Sequence, residues 1–439
     1  MQTHFPPERL ADGDMAASEQ IIRKCVHCGF CASTCPTFDL LGDELDSPRG
    51  RIYLMKAMLE GGEAPTPDVV RHIDRCLSCL SCATTCPSGV DYGHLVDHAR
   101  TYIEQRYRRP LGQRLLRALL AWTLPHPRRF RLALRLAALG RPFARLFERI
   151  VPLRPLAAML ALAPRHVPAR CSAQPAALPA RRGRVALLQG CAEPVLRPEI
   201  RAATIRLLER CGQEVVLAPD EGCCGSLVHH MGREAQALDA ARRNVDAWIA
   251  QMEDGGLDAI LVTVSGCGST IKDYGHMLRG DPAYAQKAAR VSAIALDVSE
   301  YLARIGLPPA GAAPALTVAW HPPCSLQHGQ KVTEAPVQLL RAAGFDVLLP
   351  ADAHLCCGSA GTYNMLQPAI ARQLGQRKAA AIDRLTPHVI ATGNIGCMTQ
   401  IALYSAAPAI HLIELLDWAT GGPRPALLPA DMELPAEID

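Results

Sequence analysis

The sequence predicts an α plus α/β protein: a small helical domain built on two cysteine runs, followed by two copies of a βαβαβ unit. Three observations predict it. The spacing C-x2-C-x2-C-x3-C-P occurs twice, as Cys25, Cys28, Cys31 and Cys35 before Pro36, and as Cys76, Cys79, Cys82 and Cys86 before Pro87. A segment with helical signals separates the two runs. From residue 183 onward, strands, helices and cysteines recur twice in the same order.

The doubled run is the spacing that wraps cubane [4Fe–4S] clusters. Two-residue gaps let three thiolates surround one cluster, while the fourth cysteine points away to the other. The proline after it has no N–H to donate, so the chain turns there. The expected pairing is therefore crossed. Cys25, Cys28, Cys31 and Cys86 hold one cluster, and Cys76, Cys79, Cys82 and Cys35 hold the other. Zinc is the alternative, but zinc sites use two C-x2-C pairs rather than four cysteines in one short run. Disulfides need an oxidising compartment, and the polar stretch Met1–Gln20 has no apolar core of signal type. Two adjacent cubanes move single electrons.

The chain has 439 residues, 49% hydrophobic, 5% aromatic, 18 cysteines and a net charge of +4. That length suits two or three domains. No apolar run is long enough to span a membrane. The expected organisation is a tail at 1–20, a two-cluster ferredoxin-type domain at 21–105, an Arg-rich amphipathic linker at 106–182, repeat units at 183–310 and 311–425, and a tail at 426–439.

Within the first domain, Ser47 suits a helix N-cap and Pro48 the first helical position. Ile52, Met55 and Leu59 then share a face. Arg49 and Arg51 either tune an anionic cluster, dock a partner, or simply start a solvated helix. In 106–182, Glu148 is the only acidic residue. Segments such as Arg114–Leu120 and Arg131–Leu136 read as basic amphipathic helices. Such helices lie on an anionic membrane, cover a partner subunit, or link two domains. Nucleic-acid binding is not expected, because neither a known motif nor interleaved aromatics accompany the charge.

In the first repeat a strand ends at Cys191, a second leads to Cys223-Cys224-Gly225, and a third leads to Cys267. The second repeat matches with Cys324, Cys356-Cys357-Gly358 and Cys397. The offset from the first cysteine to the pair is 32 in both copies (191 to 223, 324 to 356). In parallel sheets, ligands gather at the carboxyl ends of strands. Helix N-termini there favour thiolates. The eight cysteines Cys191, Cys223, Cys224, Cys267, Cys324, Cys356, Cys357 and Cys397 are therefore candidate ligands of further clusters, against the alternative of buried structural cysteine. Gly225 and Gly358 are expected to let the backbone approach a bulky ligand. Cys171 and Cys211 fit neither set.

These motifs resemble a known family. Cys25-Val26-His27-Cys28-Gly29-Phe30-Cys31, Gly42-Asp43-Glu44-Leu45-Asp46-Ser47-Pro48-Arg49-Gly50-Arg51, Thr85-Cys86-Pro87-Ser88-Gly89-Val90 and Leu355-Cys356-Cys357-Gly358-Ser359-Ala360-Gly361-Thr362-Tyr363 carry the likeness. The order resembles the fused C and B subunits of heterodisulfide reductase, and more closely the iron–sulfur subunits of glycolate oxidase (a dehydrogenase). The resemblance implies two CCG modules and electron transfer from glycolate, or D-lactate, oxidised on a partner flavin. It implies an FAD-binding catalytic subunit, a second flavoprotein subunit, and the quinone pool as acceptor. It also implies a cytoplasmic protein on the inner face of the cell membrane. Heterodisulfide-reductase modules end in C-x2-C, whereas Thr270 and Gln400 stand at the last position here. A subunit of another flavin dehydrogenase (lactate or glycerol-3-phosphate), a thiol–disulfide reductase and a zinc scaffold are the other readings. No G-x-G-x-x-G after a strand, Walker run or nucleophile elbow is present, so flavin and nucleotide are expected on partners only.

Overall fold

In the computed structural model, the structure describes residues 1–150, 153–164, 166–176, 181–311 and 316–428. Most of the expected C-terminal tail, residues 429–439, lies outside the described residues.

The first domain is helical. Asp12 caps helix Gly13–Lys24 through its carboxylate, and Ser47 Oγ accepts from Gly50 N–H to start helix Pro48–Gly61. The apolar stripe of that helix, Ile52, Met55 and Leu59, is buried against Ile22, Ile73, Leu95 and Ile103. Helices Pro67–Asp74 and Tyr92–Arg106 complete this core. Each fully buried aliphatic side chain there contributes about 1.5–3 kcal/mol.

Two four-stranded sheets follow, both wholly parallel. The strands are β1 (Gly183–Leu187), β2 (Gln213–Val216), β3 (Ala259–Val262) and β4 (Ala295–Asp297), then β5 (Thr317–Trp320), β6 (Asp346–Leu348), β7 (Val389–Thr392) and β8 (Ala409–His411). Their orders are β2-β1-β3-β4 and β6-β5-β7-β8. Each sheet thus has one strand more than the three-stranded unit read from the sequence. The extra strands are three residues long, too short for alternation to reveal them. Each runs straight into a helix through a capping box, Asp297 with Glu300 and His411 with Glu414.

The sheets share one hydrophobic core, in which Val185, Leu187 and Leu302 meet Val318, Trp320 and Ile410. Ion pairs link the same two units. Buried Asp417 accepts from Arg206 and Arg210, each at 2.5 Å, and Glu414 accepts from Arg197 at 2.9 Å. His411 Nε2 lies 2.8 Å from the carbonyl of Thr263.

The helical domain docks on both units. Tyr363 donates to the carbonyl of Arg75 at 3.0 Å, and Thr84 Oγ1 lies 2.8 Å from His328 Nδ1. His94 bridges Asp91 (2.7 Å) and Asp273 (2.9 Å) and stacks on His276. Burial alone would lower the His94 pKa, but the hydrogen bonds with Asp273 and Asp91 outweigh it and lift it to about 10. A pKa raised on folding gives stability that is complete below the unfolded value and lost as pH rises through the folded one. His94→Gln is therefore expected to destabilise the docked chain at about pH 6 and hardly at all above about pH 10. Thermal unfolding at both pH values checks this, and an equal loss at both would contradict it.

The arginine-rich segment forms helices Leu111–Thr123, Pro127–Gly140, Ala144–Arg149 and Arg154–Leu162. Their inner faces place Leu120, Leu124, Leu134 and Leu160 over the repeat units. Arg117 and Arg131 turn inward: Arg117 donates to the carbonyl of Met231, and Arg131 to those of Pro168 and Pro194. The outer faces leave Leu111, Leu115, Trp122, Leu136, Leu139 and Phe143 exposed. Among the described residues, no helix is long and apolar enough to cross a membrane.

Candidate iron–sulfur sites

Both cysteine runs wrap in the same way. The residue before the second cysteine has positive φ in each, His27 (60°) and Ser78 (49°), and so does the residue after it, Gly29 (86°) and Leu80 (61°). Three of these four lack the steric freedom of glycine. A left-handed residue at matched positions is the kind of local strain that marks a functional loop. It turns backbone N–H groups inward, and Ser78 N–H points to Cys76 Sγ at 3.4 Å.

Two small cavities result. The first is lined by Cys25, Cys28, Cys31, Cys82 and Cys86, with Arg49 and Pro87. The second is lined by Cys76, Cys79, Cys82 and Cys35, with Arg51 and Tyr92. The fourth cysteine of each run thus stands in the other run's cavity. The first site reaches the surface: Cys28 is exposed, and Val26 and Phe30 beside it are about two-thirds exposed. The second is interior. Burial pushes the Cys79 and Cys82 thiols well up, with neighbouring cysteines adding to the shift, and pushes Cys31 to about 11. Thiols gathered this closely cannot all ionise without a cation among them, so the donor set fits a metal cluster.

Arg51 is the charged group the second site is built around. It is 1% exposed. It donates to the carbonyl of His72 (2.7 Å), Thr37 Oγ1 (3.0 Å) and buried Asp46 (3.2 Å), and it lies 3.8 Å from Cys35 Sγ. Asp46 also accepts from Arg75 and sits against His72. Of the two arginines singled out from sequence, Arg51 is thus buried at the second cysteine cavity, while Arg49 pairs with exposed Glu44 over Gly29.

The eight repeat cysteines form two groups, each contiguous through its thiols: Cys191, Cys223, Cys224 and Cys267, then Cys324, Cys356, Cys357 and Cys397. All lie beyond the carboxyl ends of strands. Cys267 and Cys397 stand in the first turns of helices Ser265–Lys272 and Ile395–Ile401. In the first group, hydrogen bonds from Cys191 and Cys224 pull the Cys223 thiol well down, while Cys191 and Cys224 are themselves pushed well up. In the second, the hydrogen bond with Cys356 and burial raise Cys324; Cys356 and Cys357 are pulled down by their bonds with Cys324 and Cys356, but bonds with Cys357 and Cys397, together with burial, push both up.

The glycines do not face the ligand space as the sequence suggested. Gly225 and Gly358 are left-handed, and a Cβ on either would lie 3.0 Å from the carbonyl of Ala237 or 2.7 Å from that of Ala371. They let each cysteine pair pack against the following helix, and their N–H groups reach Cys223 Sγ and Cys356 Sγ. The two positions that break C-x2-C are filled by satisfied polar groups. Gln400 donates to the carbonyl of Ala371 and accepts from Asn364, and Thr270 donates to the carbonyl of Gly266. Cys171 and Cys211 stand apart from both groups, and Cys211 packs against the shared core.

One apolar cavity of about 330 Å³ joins these groups. Its floor carries Cys191, Cys224 and Cys267 from one unit and Cys324, Cys356, Cys357 and Cys397 from the other, with Cys79 at one side. Its roof is Leu120, Leu124, Phe130, Leu134, Met159 and Leu162 of the basic helices. Glu193 lines it as well, raised to about 7 by burial and held by Thr263 Oγ1 at 2.7 Å.

Sequence reasoning missed one residue at these sites. His321 is fully buried, both ring nitrogens lack a partner, and its ring lies with Cys357 and Cys397 such that one nitrogen and both sulfurs are within 4.8 Å of one another. An unpaired buried nitrogen costs about 1–3 kcal/mol. The signal available was a histidine three residues before Cys324, where the first repeat has Leu188.

Comparisons with known proteins agree with this layout. A 4Fe-4S dicluster domain model matches residues 21–90, and a cysteine-rich (CCG) domain model matches residues 185–272 and 318–402. The chain is 42% identical to the glycolate oxidase iron-sulfur subunit of Escherichia coli K12, over 95% of this chain and 99% of that one. It is 32% identical to the probable glycolate oxidase iron-sulfur subunit of Bacillus subtilis 168, over 94% and 96%. Lactate utilization protein A of Bacillus licheniformis is 27% identical over 50% of this chain and 90% of its own. A solved structure, of a hypothetical protein from Helicobacter pylori, superposes with a TM-score of 0.54 over 96% of this chain and 75% of its own at 10% identity, a likeness of fold.

Proposed function

Because this chain belongs to the family of glycolate oxidase iron–sulfur subunits, we propose that it is the electron-transfer subunit of a glycolate dehydrogenase whose substrate is oxidised on a partner flavoprotein. The observation that carries the reading is the succession of cysteine sites in one molecule. An exposed site stands beside a buried one, and the buried one abuts the second CCG unit, where Leu77 and Cys79 pack with Cys324 and Cys356.

Clusters bound at these sites supply one-electron relay between a flavin and a distant acceptor. The chain's residues do the rest. Cys25, Cys28, Cys31 and Cys86 hold the first cluster, and Cys76, Cys79, Cys82 and Cys35 the second. Arg51 neutralises anionic charge at the second site without exposing it to water. Exposed Val26 and Phe30, with half-buried Arg49, frame the first site for the flavoprotein. The CCG cysteines hold at least one further cluster. The outer faces of the basic helices, with Leu115, Leu139 and Phe143 among arginines, rest the complex on the inner face of the membrane, next to the quinone pool.

Anaerobic addition of glycolate to the purified complex tests this. Glycolate is expected to bleach the visible cluster absorption, and anionic vesicles carrying a quinone are expected to restore it and to sediment the complex. Bleaching by NADH but not by glycolate would defeat the reading. Restoration only by a soluble acceptor, with no sedimentation, would defeat its membrane part.

A further inference from the structure

We infer that His321 is a nitrogen ligand to the iron–sulfur cluster of the second CCG unit, completing a set with Cys324, Cys356, Cys357 and Cys397. The inference rests on the reading that this unit carries a cluster.

Three observations support it. First, His321 is 0% exposed and neither ring nitrogen has a hydrogen-bond partner, a state proteins rarely leave unresolved. Second, a ring nitrogen and the sulfurs of Cys357 and Cys397 are mutually within 4.8 Å, the spacing of ligands around a shared centre. Third, the position where related modules place a last cysteine is Gln400, whose amide is committed to Ala371 and Asn364. The second unit is thus one soft donor short, and the unclaimed donor beside it is an imidazole. Imidazole and thiolate together are an established ligand set for iron–sulfur centres.

The two units differ here. The counterpart of His321 is Leu188, three residues before Cys191, and the backbones match: Leu188 N–H donates to Leu261 as His321 N–H donates to Ala391. The first unit therefore offers cysteine alone. A neutral imidazole in place of a thiolate leaves a cluster less negative, and so easier to reduce. The second unit, the one nearer the buried ferredoxin-type site, thus has a neutral donor that the first lacks.

Leu188 also supplies the test, since leucine already occupies this position in the sister unit and is only 4% exposed there. Wild type, His321→Leu, His321→Cys and Cys357→Ala are purified anaerobically as the full chain. Iron, sulfide and zinc per chain, the visible spectrum and the reduction potentials are measured. Nitrogen hyperfine spectra are compared with and without 15N-histidine. Wild type is expected to hold more than about eight irons. Cys357→Ala should lose the second-unit cluster, and His321→Leu should lose the same iron. His321→Cys should keep that iron at a lower potential. The 15N label should alter the wild-type spectrum and leave that of His321→Cys unchanged.

His321→Leu with wild-type iron, spectrum and potential would make His321 structural and overturn the inference alone. So would His321→Leu and His321→Cys losing iron equally with no effect of the 15N label. Wild type at about eight irons, with Cys357→Ala losing none, would instead remove the cluster reading beneath it. Stoichiometric zinc lost from Cys357→Ala would do the same.

Discussion

Cys35→Ala is expected to remove the cluster held by Cys76, Cys79 and Cys82 while sparing the one held by the remainder of its own run. About four of the eight ferredoxin-domain irons should go, and the signal that survives should be that of the more exposed site. The reason is geometric. Cys35 follows a helical turn that carries it out of the first cavity and into the second, where it lies against Arg51, Thr37 and the carbonyl of Asp46. Pro36 then starts helix Pro36–Leu41, which fixes the exit. Cys86→Ala is the mirror case, because Cys86 lines the first cavity. Paramagnetic resonance of the reduced variants separates the two. Loss of the exposed site's signal in Cys35→Ala would contradict the crossed pairing. With the buried site gone, electron transfer between the exposed site and the CCG units should fall to a small residual rate.

Arg51→Leu is expected to be the most damaging change outside the cysteines. It strips a buried carboxylate, Asp46, of one partner and leaves the carbonyl of His72 and the Thr37 hydroxyl without their donor. Breaking a buried charge pair costs about 3–5 kcal/mol. Arg75 still reaches Asp46, which sets the expectation near about 3 kcal/mol. The second cluster should also become harder to reduce, because a cation beside an anionic centre is lost. Arg51→Lys should restore the charge but not the fork, recovering the potential more than the stability. Arg49→Leu is the control. Its side chain is one-third exposed and, among the described residues, forms an ion pair with exposed Glu44 alone, so stability should change by about 0.5 kcal/mol or less. Thermal unfolding and redox titration of the three variants check this, and equal effects of Arg49→Leu and Arg51→Leu would contradict it.

What the sequence made legible and what it hid divide along physical lines. Helix Pro48–Gly61 was readable from Ser47, Pro48 and the 52/55/59 stripe, because local capping and burial on one face agree. The CCG cysteines were readable as two groups, because equal offsets place equivalent strand ends together. Strands β4 and β8 were not, since three residues give no alternation and no turn separates them from their helices. The fate of Arg49 and Arg51 was undecidable locally: two residues apart on one helix, they face solvent and core. Gly225 and Gly358 signalled close approach correctly but not of what, because the helix they touch comes later in the chain. His321 left one sequence signal, a histidine where the first repeat has Leu188, and its role emerges only where the fold sets its unpartnered ring against two sulfurs.

Iron and acid-labile sulfide per chain in anaerobically purified protein, with paramagnetic resonance after reduction, decide whether the chain is an electron carrier. More than about eight irons, matching sulfide, two magnetically coupled cubane signals and at least one further centre are expected. Little iron with stoichiometric zinc would contradict this, leaving a zinc-stabilised scaffold where an electron carrier is described.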